Sequence, residues 1–225
     1  MSKQIKKFLR KNIRFCDVGA RWGLGEPWVD IKHYLDVIYF EPDAEEYESL
    51  KTKMKDGDLG FDCALYSSSK KINLNLTKAR ECSSLLKPNY DIIKNYPDEL
   101  LEMYKIDKKI SVNAKSLDQI SKENANFNMD FMKLDVQGAE LEILKGGENF
   151  LSENIIGLEI EVEFQKLYVD QPLFSDIDIY ARDKLNLELF DISKHYCKYK
   201  TGINKFSKKG QLVFGDALYL RSPFK

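Results

Sequence analysis

Arg14-Phe15-Cys16-Asp17-Val18-Gly19-Ala20-Arg21-Trp22-Gly23-Leu24-Gly25 runs from an apolar stretch into an acid and then breaks into closely spaced glycines. The pattern predicts a strand that feeds a tight turn and opens a helix. Glycine adopts positive φ freely and lets a ligand approach the backbone, so glycines at the carboxyl end of a first strand suit a nucleotide-like ligand. The acid narrows the choice: a carboxylate at the strand end, Asp17, repels a pyrophosphate but suits a ligand with an ammonium group and hydroxyls.

Working outward, residues 27–33 read as a helix and 37–41 as a second apolar run that also ends in an acid, Glu41. The separation of about twenty residues from the glycine turn is that at which a carboxylate reaches the ribose hydroxyls of a bound nucleoside. Against this, Glu41 could merely cap the helix opened by Pro42-Asp43-Ala44-Glu45-Glu46, since proline favours a first helical turn. S-adenosylmethionine carries both an ammonium group and ribose hydroxyls. The helix extends over 43–55 and a third strand over 61–66, whose Asp62 to Leu65 end, with Ala64, would sit near an adenine. An alternating strand follows at 72–76.

A second acid-tipped strand is Asp130-Phe131-Met132-Lys133-Leu134-Asp135, followed by a corner at Val136-Gln137-Gly138 and a helix from Ala139 to the Gly146-Gly147 pair. In an open parallel sheet the strand beside the first ends at the topological switch point, so Asp135 and Asp17 are expected to face one crevice. Glu140 falls at the same corner, and helix capping is the competing role for both acids. In the strand 155–164, period two puts Glu159, Glu161 and Glu163 on one face. A solvated edge explains such a row, and so does a site on a central strand, with Glu161 as the best candidate.

Between these signals, residues 79–109 are turn-rich and read as an excursion over the carboxyl edge of the sheet. Ser83 and Ser84 there either contact substrate or satisfy local backbone. A short strand at 110–114 leads to a helix that Ser116 can cap. A helix at 171–184 precedes strands at 187–192 and 211–220, which read as an antiparallel hairpin joined by the lysine- and aromatic-rich segment 193–210. His33 falls in a helix and His195 in a loop.

At 225 residues, with 43% hydrophobic and 32% charged, the chain fits one soluble α/β domain over 1–225 and is too apolar for disorder. A net charge of −1 with mixed signs argues against nucleic acid as a partner. Cys16, Cys63, Cys82 and Cys197 form no C-x-x-C pair, which argues against a zinc knuckle. No stretch is apolar enough to insert stably in a membrane, and a cytoplasmic location is expected. The basic start carries Ile5, Phe8 and Leu9 at spacings that suit a short amphipathic helix.

Together, Asp17-Val18-Gly19-Ala20, Phe40-Glu41-Pro42-Asp43, Ser83-Ser84-Leu85, Ser116-Leu117-Asp118, Lys133-Leu134-Asp135-Val136-Gln137-Gly138-Ala139-Glu140 and Gly215-Asp216-Ala217-Leu218 resemble the FkbM family of S-adenosylmethionine-dependent methyltransferases over residues 14–220. Family members usually carry Glu where this chain has Gln137. The resemblance implies a Rossmann-like class I methyltransferase: a mostly parallel seven-stranded sheet, an antiparallel last strand and helices on both faces. It also implies methyl transfer to a hydroxyl of a sugar, glycan or natural-product acceptor.

On that reading Asp17, Gly19 and Gly23 shape the methionine pocket and Glu41 holds the ribose, with Asp43 and Ala64 in the same cofactor set. Asp135 lies near the methionine ammonium or the reacting methyl. Arg21 pairs with the methionine carboxylate or forms a surface salt bridge. Asp135 or Glu140, then Glu161, are the candidate bases. No metal site is predicted, although clustered acids offer a divalent metal an alternative role. The competing functions are an NAD(P)-dependent Rossmann oxidoreductase, which Asp17 disfavours, and a non-catalytic cofactor-binding module.

Overall fold

Strand β1, Ile13–Val18, sits in the middle of the main sheet, with Phe15, Cys16 and Val18 fully buried. A strand covered on both faces must be apolar almost throughout, which is why its one acid stands out. On one side it pairs in parallel with β2, Leu35–Phe40, and on the other with β7, Phe131–Leu134. The computed structural model describes residues 11–206, 208–222 and 224, so the expected amphipathic turn at Ile5, Phe8 and Leu9 lies outside the described residues.

The sheet continues from β2 to β3, Leu59–Phe61, and from β7 through β8, Gly157–Glu163, to β11, Gln211–Arg221. Strand β11 runs antiparallel to β8, and its outer edge is shared by β9, Leu187–Ile192, and β10, His195–Cys197. Strand β11 is antiparallel to β9 and β10 as well, and the other four pairs of the sheet, among β3, β2, β1, β7 and β8, are parallel. The edge is one strand position interrupted after Ile192, so eight strands fill the seven positions expected. His195, expected in a loop, belongs to β10.

The larger core lies on the face where Leu117–Glu123, Glu140–Gly146, Glu148–Asn154 and Phe174–Asp183 pack as helices over Cys16, Val18, Met132, Leu134, Leu158 and Ile160. Ser116 caps the first of them by accepting from Gln119 N at 3.3 Å. The opposite face carries the helix Ala44–Lys51 and a 3₁₀ helix, Trp28–Tyr34, over Phe15, Leu35, Val37 and Tyr39. The expected helix over 27–33 is this 3₁₀ turn, which begins at Trp28 with Pro27 in its cap position.

The run 61–66 is not one strand. Leu59–Phe61 stays in the main sheet, whereas β4, Ala64–Leu65, crosses to a second sheet with β6, Ile106–Lys115, and β5, Lys70–Thr77, in the order β4-β6-β5. The one mark of the bend is Asp62, charged and exposed in an otherwise apolar run, which period two reads as the solvent side of a strand. Strand β6 likewise begins earlier than expected, since its exposed start pairs with β5 through backbone groups alone. The rest of the excursion forms two short helices, Tyr90–Ile93 and Asp98–Met103, around a small core of Cys82, Ile93, Tyr96, Tyr104 and Tyr168.

The two central strand ends meet at Gly19. Its φ is +85°, and a Cβ there would lie 2.1 Å from the Asp135 carbonyl oxygen. Gly19→Ala is expected to lower the urea unfolding free energy by at least the ~1–2 kcal/mol of left-handed strain, with the clash added. An unchanged midpoint in urea would show that the corner can open.

Candidate active site

A cavity of about 660 Å³ opens at the carboxyl ends of β1, β2, β7 and β8. Its floor is the turn after β1, where Gly19 N and Ala20 N both donate to Phe40 O, at 3.2 and 3.3 Å, and Gly23 N donates to Ala20 O at 2.8 Å. These bonds fasten the turn to the end of β2. Asp17, Gly19, Arg21, Gly23, Glu41, Ala64 and Asp135 all line the cavity, as expected of one crevice.

Asp17 is 3% exposed, and among the described residues its carboxylate makes no hydrogen bond or ion pair. Burial pushes its pKa up to about 6; Lys133 opposes the shift, and Asp135 and Glu159 add to it. Lys133 stands level with Asp17 and Glu159 on neighbouring strands, with Nζ 3.2 Å from Asp135 Oδ2. Burial alone would lower the lysine's pKa, but Asp135 and Asp17 outweigh it and hold the ammonium charged.

Glu41 is also buried. One of its oxygens accepts from Asp43 N at 2.8 Å, and the other has no partner among the described residues. Burial pushes its pKa up to about 7, against the backbone hydrogen bond and the Arg21 charge. The capping role falls to Asp43, which accepts from Glu45 N at 3.3 Å and stands off the cavity wall. Asp43 also pairs with Arg21 Nη2 at 3.1 Å while Glu46 takes Nη1 at 3.1 Å, so the guanidinium is buried and bound on both sides.

At the second corner Asp135 accepts from Lys133 on one oxygen and from Gln137 Nε2, at 3.0 Å, on the other. Glu140 turns away from the cavity: its Oε1 accepts from Val136 N at 3.0 Å and Gly138 N at 3.1 Å, clamping the corner. Burial pushes the Glu140 pKa up to about 7. The glutamate row lies on a central strand, and Glu159 alone of the three lines the cavity, within 3.4 Å of Trp28 Nε1. Glu161 accepts from Gln137 Nε2 at 2.6 Å and is not part of the wall; burial and Asp135 push its pKa well above the carboxylate range.

The excursion contributes Arg80, Glu81, Ser83 and Leu85 to the wall, and the segment after β9 contributes Ser193. Ser83 Oγ accepts from Thr77 N at 3.2 Å, while Ser84 braces the corner by donating to Gln137 O at 2.6 Å. Sequence reasoning missed Lys133 and Asp216 on the wall. Period two, applied back from Asp135, finds Lys133 on the same face. Asp216 is placed only by its pairing with Glu161, which no local pattern encodes. Among the described residues, no three His, Cys, Asp or Glu side chains are grouped to hold a metal ion, and no helix is long and apolar enough to cross a membrane.

Glu41 is a buried carboxylate whose folded pKa lies above its unfolded value, so the stability it contributes is present below the unfolded pKa and lost as pH rises through 7. In the ligand-free protein Glu41→Gln is therefore expected to raise Tm at pH 8, with little change at pH 5, by differential scanning calorimetry. A lower Tm at pH 8 would show that the charge is compensated.

Residues 17–186 match the family model described as the methyltransferase FkbM domain. No curated protein matches the chain. Among solved structures, methyltransferase FkbM from Methylobacillus flagellatus KT superposes with a TM-score of 0.51 at 16% identity, over 95% of this chain and 45% of that one. This chain thus spans less than half the length of that protein. Magnesium protoporphyrin IX methyltransferase from Synechocystis PCC 6803, solved with bound SAM, gives 0.48 at 10% identity over 98% and 76% of the two chains. An uncharacterized protein from Listeria monocytogenes serotype 4b gives 0.44 at 13% identity over 98% and 66%. The α/β architecture is that of the Rossmann-like methyltransferases, and the chain belongs to the FkbM methyltransferase family.

Proposed function

We propose that the chain is an S-adenosylmethionine-dependent methyltransferase acting on a hydroxyl oxygen of a sugar, glycan or related small-molecule acceptor. Asp17 carries this reading: among the described residues its buried carboxylate on the cavity wall has no hydrogen bond and shares one cation, Lys133, with two other acids, so a ligand that brings a cation or donors relieves its burial. S-adenosylmethionine fits, with its ammonium group at Asp17, its ribose hydroxyls at the free oxygen of Glu41, and its adenine against Cys63, Ala64 and Leu65. When bound it supplies a methyl group on a sulfonium, already a good leaving group.

The protein's share is to hold the acceptor oxygen in line and remove its proton. Asp135 is the base in this reading, since it is the one of the three candidate carboxylates on the wall. Glu140 is committed to backbone amides and Glu161 to Gln137. Arg21, bound by Asp43 and Glu46, braces the ribose side in preference to taking the methionine carboxylate. Residues 79–109 and 193–210 select the acceptor. We treat 1–225 as one domain, because segments of both sheets line the cavity. The four free thiols suit a cytoplasmic setting.

Calorimetric titration is expected to show binding of S-adenosylhomocysteine and none of NAD; binding of NAD alone would overturn the reading. Because the ligand favours ionised Asp17 and Glu41, which titrate at about 6 and about 7, affinity should rise from pH 5.5 to 8. Asp17→Asn should weaken it at least tenfold at pH 7.5 and flatten the profile; unchanged affinity would sink the ammonium role. Labelled methyl transfer to a panel of nucleotide sugars and polysaccharide fragments tests the acceptor class. Transfer that persists after exhaustive chelation is expected, and its loss would bring a metal into the mechanism.

A further inference from the structure

Gln137 occupies the turn between the proposed base and the following helix with φ +60°, a left-handed backbone that non-glycine residues rarely hold. Two contacts hold its two ends. Ser84 Oγ donates to its carbonyl at 2.6 Å, and Ser84 Oγ is itself fixed by accepting from Leu86 N at 2.9 Å. The second contact is at the side-chain amide. Tyr168 OH lies 3.1 Å from Gln137 Oε1 and 2.8 Å from Cys82 O. The Tyr168 hydroxyl has one proton, shared between these two acceptors; the amide itself is oriented from its other end by Asp135, an ionised carboxylate that only accepts and so takes the N–H side.

The nitrogen of the amide is thereby turned the other way, and its two N–H bonds are spent on two carboxylates: Asp135 Oδ1 at 3.0 Å and Glu161 Oε2 at 2.6 Å. The Asp135 side chain is 40% exposed, and its remaining tether is the flexible ammonium of Lys133. A planar amide fixed at its oxygen end holds a carboxylate in one orientation in a way that an ammonium on a four-carbon stem does not.

We propose that Gln137 is a positioning residue for methyl transfer: its side-chain amide, with Tyr168 at its oxygen end, bridges Asp135 to Glu161 and holds the Asp135 carboxylate toward the cavity. The inference rests on Asp135 being the base. Gln137 lines the cavity beside Asp135, with its amide taken up by Asp135, Glu161 and Tyr168. Its role is to keep the accepting oxygen of Asp135 aimed at the acceptor while Glu161 anchors the bridge from behind.

Two measurements test the bridge without any acceptor. In nitrogen-15 NMR spectra of the full chain, the side-chain NH₂ pair of Gln137 should give two dispersed, slowly exchanging protons, with Asp135→Asn moving mainly one and Glu161→Gln mainly the other. A pair at free-amide positions, or one indifferent to both substitutions, would overturn the bridge. Gln137→Met keeps length and removes both donors. Crystals of wild type and Gln137→Met with S-adenosylhomocysteine should show the Asp135 carboxylate rotated in the variant, and an unmoved carboxylate would overturn the positioning role.

Affinity for S-adenosylhomocysteine separates this failure from that of the function itself. Wild-type protein that does not bind it refutes the methyltransferase reading whatever Gln137 does. If wild type binds and Gln137→Met binds within about threefold, with Tm close to wild type, the variant is folded and its cofactor site intact. In the labelled-methyl assay kcat should then fall at least tenfold with KM for S-adenosylmethionine unchanged, whereas an unchanged kcat would overturn the proposal.

Discussion

The α-carbon of Gly19 and the carbonyl of Asp135 are packed so closely that no side chain fits between them. That backbone contact joins the exits of the two central parallel strands, and Asp135 N closes it by donating to Val18 O at 3.3 Å. Where strand order reverses, the connections leave in opposite directions and a crevice remains above the sheet. In this protein the crevice exists because the two corners touch below it and diverge above. The glycine turn, the acid that precedes it and the clamp formed by Glu140 all follow from holding this junction.

Charge is distributed around that junction in an unbalanced way. Lys133 is the cation shared by Asp17, Asp135 and Glu159, while Arg21 is taken up by Asp43 and Glu46 and Arg80 by Asp107. The raised pKa values of Asp17, Glu41 and Glu159 share one leading cause, loss of water without full replacement by protein donors. Such a site is held in a state that favours a ligand bearing positive charge and hydrogen-bond donors. Carboxylates left short of both water and donors cost the fold free energy, a common trade between stability and function.

The strand-turn-acid units were legible because each compresses its signal into a few adjacent residues: Asp17 before Gly19, Glu41 before Pro42, Asp135 before Gly138. Burial on both faces made the strands plain, and the antiparallel close of the sheet followed from two late strands with no helix between them. What could not be read depends on partners distant in the chain. The division at Asp62 and Cys63 is marked only by Asp62, charged and exposed in an otherwise apolar run, and one such residue reads equally well as the solvent side of a single strand. Glu159, Glu161 and Glu163 share a face by period, but which of them reaches the cavity is decided by Gln137 and by the level at which β8 meets β7. Glu140 illustrates the limit well, since an acid at a corner can face a ligand or the backbone behind it, and only the fold shows that it faces the backbone.

The break between β3 and β4 has a mechanical side. Two residues, Asp62 and Cys63, carry the chain from the main sheet to the small one, and Cys63, Ala64 and Leu65 also form part of the cavity wall. The small sheet in turn supports the excursion through the pairing of Asn75 with Ser84, whose hydroxyl reaches the Gln137 carbonyl. One wall of the cavity and the brace behind the Gln137 corner are therefore built on the same small sheet.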